Sequence, residues 1–162
     1  MYIERALEPL VRRYSENFKI VAVTGPRQVG KTTMLKHLME EEAESGVDRV
    51  YVTLDNTAIL QTAKEDPALF LQRYRPPVLI DEIQKAPELL PYIKMIVDER
   101  DDCGSVWITG SQPLHLMKAV SESLAGRVGI VEMLGLSHSE VAGTPSEPYR
   151  RLLHAARGYG EA

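Results

Sequence analysis

One stretch near the start of the chain, KIVAVTGPRQVGKTTML from Lys19 to Leu35, restricts the possible folds more than any other. Ile20 to Val23 is an unbroken apolar run rich in β-branched residues, the pattern of a strand buried on both faces. From Lys31 onward the pattern becomes helical. Between them, Gly25-Pro26-Arg27-Gln28-Val29-Gly30-Lys31-Thr32 fully matches the phosphate-binding pattern G-x-x-x-x-G-K-[ST]. The chemistry explains the spacing. Gly25 and Gly30 can take backbone angles closed to other residues, so the loop can curl and aim its N–H groups inward. Those groups and the positive end of the following helix suit a polyphosphate. Lys31 adds a point charge for the β- and γ-phosphates, and Thr32 a hydroxyl for Mg2+. With Thr33, the residues from Gly25 onward form the candidate nucleotide contacts.

The rest of the chain reads as strands alternating with helices. Ile3, Leu7, Leu10, Val11 and Tyr14 recur at helical spacing and predict an N-terminal amphipathic helix. The helix after the loop carries Met34, Leu35, Leu38 and Met39 and ends at Gly46. Val50 to Leu54 is the second expected strand, ending at the turn signal Asp55-Asn56. Ala58 to Ala63 and Pro67 to Tyr74 read as short helices. Val78 to Glu82 is the third strand, and Pro87 is expected to open the next helix. Val106 to Thr109 and Val128 to Met133 are the fourth and fifth strands, with a short helix after Pro113 between them. Ser137 to Glu140 is a capping-box helix start. Gly143 to Pro148 has linker composition, and a weak basic segment follows from Tyr149 to Arg157. This order predicts an α/β fold, a parallel five-stranded sheet with helices on both faces. Ligands of such sheets sit at the carboxyl ends of the strands, where the glycine loop, Asp81-Glu82 and Gly110-Ser111-Gln112 all fall.

Asp81 and Glu82 are the second signal. An aspartate ending an apolar strand can hold the Mg2+ that bridges the phosphates. The adjacent glutamate, pointing elsewhere, can orient and deprotonate an attacking water. Ser111 and Gln112 are candidate contacts to the γ-phosphate or that water, or else part of a plain turn. Arg127 is a candidate transition-state cation, in its own site or a neighbour's, or else a surface arginine; Arg27 stands similarly. Asn-Lys-x-Asp, usual in guanine-specific proteins, is absent, so adenine is the expected base. A small-molecule kinase is disfavoured, because it must keep out the water that Glu82 would activate.

Composition excludes other classes. Hydrophobic residues at 44% and charged residues at 26% are ordinary for a globular domain. A net charge of -4 indicates no general affinity for nucleic acid or an anionic membrane. Cys103 is the single cysteine, and the four histidines show no ligand spacing, so no metal beyond Mg2+ is expected. No apolar run approaches the length of a membrane span, and the start lacks the pattern of a signal peptide. The expected location is the cytoplasm.

Together, GPRQVGKTTML, VLIDEIQKAPELL, ITGSQ and SESLAGRV resemble the AAA-like ATPase domain at the front of a large prokaryotic family called ATP-binding proteins. The match runs from Tyr2 to about Glu140. The resemblance implies a three-layer P-loop NTPase of the additional-strand, catalytic-glutamate type, with the phosphate strand central. It implies Lys31 and Thr32 as phosphate and magnesium residues, Asp81 and Glu82 as the second motif, and Ser111 with Gln112 as the sensor. Members usually continue into a C-terminal domain of unknown function. Residues 1–142 are therefore expected to form the ATPase domain, and 143–162 a linker and tail leading towards a domain this chain lacks. Two functions compete. One is an ATP hydrolase that drives motion in a protein partner or attached domain, possible oligomers included. The other is a nucleotide-loaded switch with slow or incidental hydrolysis. A helicase fragment, suggested by Asp81-Glu82-Ile83-Gln84, would need a second motor domain for which there is no room.

Overall fold

In a computed structural model, which describes residues 2–111, 120 and 122–143, five strands run parallel in the order β2-β3-β4-β1-β5. They are β1 (Ile20–Thr24), β2 (Val50–Thr53), β3 (Val78–Asp81), β4 (Val106–Gly110) and β5 (Val128–Glu132). β4 lies between β1 and β3, the place of the additional strand that the resemblance implies. β1 has a partner on each side but sits one strand from the edge, rather than at the centre. Every residue of β1, β3 and β4 is buried, whereas edge strand β2 exposes Val50.

The sheet is covered on both faces, and the two-residue period of a strand sorts its side chains between them. Ile20, Ala22, Val78, Ile80, Val106 and Ile108 face one way. They pack on α3 (Thr57–Glu65), α4 (Pro67–Arg73) and α5 (Leu89–Asp98), through residues such as Phe70, Leu90 and Ile93. Val21, Val23, Leu79 and Trp107 face the other way, against Val11 of α1 (Glu8–Asn17) and Met34, Leu35 and Leu38 of α2 (Lys31–Glu44). The Trp107 indole N–H is not stranded there, since it donates to Ser15 Oγ at 3.0 Å. Burial of each such side chain contributes about 1.5–3 kcal/mol.

Several boundaries differ from the expectation, each for a local reason. The N-terminal helix begins at Glu8, not near Ile3, with Pro9 in its first turn. Continuing it backwards would drive the proline ring into the carbonyl of Arg5. β3 ends at Asp81 because Glu82 leaves the strand with φ 61° and ψ 45°, into a single 3₁₀ turn over Ile83–Lys85. Pro87 lies before α5 rather than opening it; tight bonds from Leu89 N–H to Ala86 and from Leu90 N–H to Pro87 lead into the helix. The helix expected after Pro113 and the segment from Tyr149 to Arg157 lie outside the described residues.

The described residues divide into two units, one within Leu7–Gly135 and a smaller one of residues 2–6 and 136–143. In the smaller unit, Ser137 and Glu140 form the expected capping box of the helix His138–Val141. Glu140 Oε1 also accepts from Arg5 Nε and the Ala6 N–H, both at 2.9 Å. Among the described residues, no helix is long and apolar enough to cross a membrane.

Candidate nucleotide site

Parallel register brings the carboxyl ends of the strands to one edge of the sheet. Thr24 pairs with Gly110, and Thr53 with Asp81. The glycine loop leaves β1 at this edge. Gly25 takes φ 141°, and a Cβ there would lie 2.0 Å from the Met133 carbonyl oxygen, so only glycine fits. Gly30, at φ 93°, turns the chain into α2. Gln28 also adopts a left-handed conformation, φ 61°. Pro26 follows the first glycine, Val29 packs on the α1–α2 side of the core, and Thr33 is exposed on the first turn of α2.

Lys31 is almost fully buried, and its ammonium donates to the carbonyls of Gly25 at 3.0 Å and Pro26 at 2.6 Å. Burial pushes its pKa down, while Glu82 and Asp81 pull it up. The charge therefore sits at the loop within the field of both carboxylates, where a polyphosphate would give it stronger partners than two carbonyls.

Asp81 is the hub. Its Oδ1 accepts from Thr32 Oγ1 at 2.7 Å and Thr109 Oγ1 at 2.5 Å, and its Oδ2 from the Tyr51 hydroxyl at 3.2 Å. Burial, and then the Asp81 charge, push the Tyr51 pKa up to about 12, so Tyr51 remains a proton donor. The Thr32 hydroxyl and the Asp81 carboxylate are hard oxygen donors 2.7 Å apart, Thr32 being the last residue of the glycine-loop pattern. That set fits Mg2+, which is characteristically held by one or two protein oxygens together with substrate phosphates and water.

Glu82 points differently from Asp81, its carboxylate sharing no hydrogen-bond partner with that of Asp81 among the described residues. Its backbone N–H donates to Thr109 Oγ1 at 3.1 Å. Its Oε2 accepts from Ser111 Oγ at 3.0 Å and from the amide nitrogen of Gln84. Glu82 lines a polar cleft of about 410 Å3 together with Arg27, Gln28, Asp55 and Lys85. Lys85 Nζ is paired with Asp55 Oδ1 at 2.5 Å beside it.

The structure thus gathers Lys31, Thr32, Asp81, Glu82 and Ser111 with Arg27 and Gln28 at one edge. Arg127 is not among them. Its carbonyl accepts the Ile20 N–H at 3.0 Å, so it stands where β1 and β5 begin, at the opposite edge. β1 rises about 13 Å between the two edges. The Arg127 guanidinium grips Asp98, at the end of α5, by bonds of 2.5 and 3.0 Å. A role for Arg127 in its own cleft is therefore excluded by strand direction. Gln112 lies outside the described residues. Sequence reasoning passed over Tyr51 and Thr109, and noted Gln84 only within Asp81-Glu82-Ile83-Gln84, not as a partner of Glu82. Thr109 had one available signal, a hydroxyl at the penultimate position of an apolar strand.

A family model for the AAA domain matches residues 17–142. Proteins of Mycobacterium bovis and Mycobacterium tuberculosis, both described as uncharacterized, are each 33% identical to this chain over 137 residues. The match covers 85% of this chain and 30% of theirs, so the chain spans less than a third of the length of these curated relatives. Among solved structures, AMPPCP-bound DnaA from Aquifex aeolicus is similar at TM-score 0.57 and 17% identity, over 82% of this chain and 48% of that one. The DnaC helicase loader is similar at 0.54 and 16%, over 78% and 87%. The P-loop NTPase domain of an Escherichia coli sigma-54 activator is similar at 0.54 and 13%, over 83% and 100%. At these identities the likeness is one of fold.

Proposed function

We propose that this chain, which belongs to the AAA domain family, binds ATP with Mg2+ at the glycine loop and hydrolyses it to ADP and phosphate. The observation that carries the reading is the pairing of Thr32 with Asp81 beside a Glu82 that turns away into the cleft. A site that only held nucleotide would have use for the first pair and none for the second carboxylate. The fold shared with AMPPCP-bound DnaA supports an adenine nucleotide.

Each residue has a definite task in this reading. Lys31 leaves the carbonyls of Gly25 and Pro26 for the β- and γ-phosphates. Thr32 and Asp81 would hold Mg2+, which would supply positive charge against the phosphates. Glu82 takes a proton from the attacking water as the water oxygen bonds to the γ-phosphorus and the bond from that phosphorus to the β-phosphate oxygen breaks, releasing ADP. Ser111 keeps the Glu82 carboxylate in place.

A second reading, the slow nucleotide-loaded switch, draws support from Arg127. The cleft is built without it, and an arginine supplied late from a neighbour is worth roughly three to five orders of magnitude. Hydrolysis by the isolated chain is then slow, below about one turnover per second, and faster where copies assemble.

Calorimetry with ATP and Mg2+ and a phosphate-release assay test the proposal on three proteins. Lys31→Ala should lose binding while keeping the fold. Glu82→Gln should bind normally and turn over roughly two to four orders of magnitude more slowly. Wild-type turnover by Glu82→Gln would remove the hydrolytic role of that residue, and unchanged binding by Lys31→Ala would remove the loop assignment.

A further inference from the structure

The geometry points to Gln84 as a positioning residue that fixes which oxygen of Glu82 faces the attacking water. This rests on the reading of Glu82 as the base. The 3₁₀ turn that follows Glu82 carries Gln84 back over it. Gln84 Nε2 has two protons and two acceptors: Glu82 Oε2 and, at 3.0 Å, Ser111 Oγ. The Ser111 hydroxyl donates in turn to the same Glu82 Oε2, at 3.0 Å. The three side chains close a ring in which every donor is used once.

Two observations show that the ring is organised around the carboxylate. First, the other end of the amide, Gln84 Oε1, is buried and has no hydrogen-bond partner among the described residues. A buried amide oxygen is rarely left unpaired. Turning the amide over would bring that oxygen against Glu82 Oε2, so the negative charge dictates the orientation. Second, both ring donors converge on Oε2, while Glu82 Oε1 takes no hydrogen bond from any described residue. The backbone of Glu82 is held separately, by its N–H to Thr109. With Oε2 gripped twice, the carboxylate cannot rotate freely, and Oε1 is the oxygen left for water in the cleft with Arg27, Gln28 and Lys85.

The test uses Gln84→Met in the full chain, which keeps length and removes both protons. The turnover number should fall roughly ten- to a hundredfold, the scale of a misplaced reacting group, with unchanged affinity for ATP and Mg2+. Added to Glu82→Gln, the same substitution should cost nothing further, because Gln84 acts only through Glu82. An equal loss in both backgrounds, a wild-type turnover number, or a rise in turnover would overturn the proposal. Full turnover by Glu82→Gln alone would instead overturn the assignment of the base. A readout without nucleotide stands beside these. The side-chain amide signal of Gln84, identified by its loss in Gln84→Met, should exchange slowly with water and move when Glu82 is replaced by alanine. A signal indifferent to Glu82→Ala would sink the ring whatever the kinetics show.

Discussion

Thr109 donates its hydroxyl proton to Asp81 Oδ1 at 2.5 Å, and the same hydroxyl oxygen accepts the N–H of the next residue, Glu82, at 3.1 Å. One fully buried group on β4 thus sets both the carboxylate assigned to Mg2+ and the backbone turn that sends Glu82 elsewhere.

Thr109→Val keeps the shape of the side chain and deletes both bonds. Leaving those partners unpaired should lower unfolding free energy by about 1–3 kcal/mol. Urea denaturation should show a lower midpoint at constant slope. Turnover should fall as well, because Glu82 loses its backbone anchor. A valine variant as stable and as active as the parent would show that Thr109 is only a strand residue.

Gly25→Ala should be far more damaging than its single methyl suggests. The added carbon would meet the Met133 carbonyl at 2.0 Å, in a backbone conformation at φ 141° that alanine avoids. Overpacking and backbone strain together predict a loss of about 3 kcal/mol, read by chemical denaturation without nucleotide. A loss confined to nucleotide affinity would mean that the loop adapts at no cost.

Arg127 is expected to act on a neighbouring copy or not at all, given its place at the amino-terminal edge of the sheet. Specific activity should rise with protein concentration. Mixing Arg127→Ala with Glu82→Gln should restore part of the turnover, since a mixed pair contains one intact junction. Melting temperature should change little in Arg127→Ala, because the pair with Asp98 is exposed. Concentration-independent turnover without rescue on mixing would leave Arg127 a surface ion pair.

Tyr51 gives a pH signature. Its folded pKa, raised to about 12 from 10.0 by burial and by Asp81, lies above the unfolded one. The stability it contributes is therefore fully present below pH 10 and lost as pH rises through 12. In an ultraviolet titration, the difference between wild type and Tyr51→Phe should be one phenol ionising near 12. Tyr51→Phe should also resist alkali better relative to its own neutral stability. A difference curve centred at 10 would show that Tyr51 does not face Asp81.

What could be read from the chain alone is what local pattern carries. The glycine loop is legible because its glycines, lysine and threonine act within one turn of backbone, and the strands because apolar β-branched runs have little other use. Asp81 and Glu82 stood out as charges at the end of such a run. Residues whose role depends on a partner across the sheet did not. Thr109 reads as β-branched filler in Val106–Gly110 until parallel pairing with β1 and β3 sets it beside an aspartate 28 residues away. Tyr51 meets the same carboxylate from 30 residues away. For Arg127 the sequence left its own site, a neighbour's site and a plain surface position all open, and strand direction put it at the other edge. Strand order and register are settled by which apolar faces bury one another, and that sum runs over the whole sheet, so no short stretch contains it.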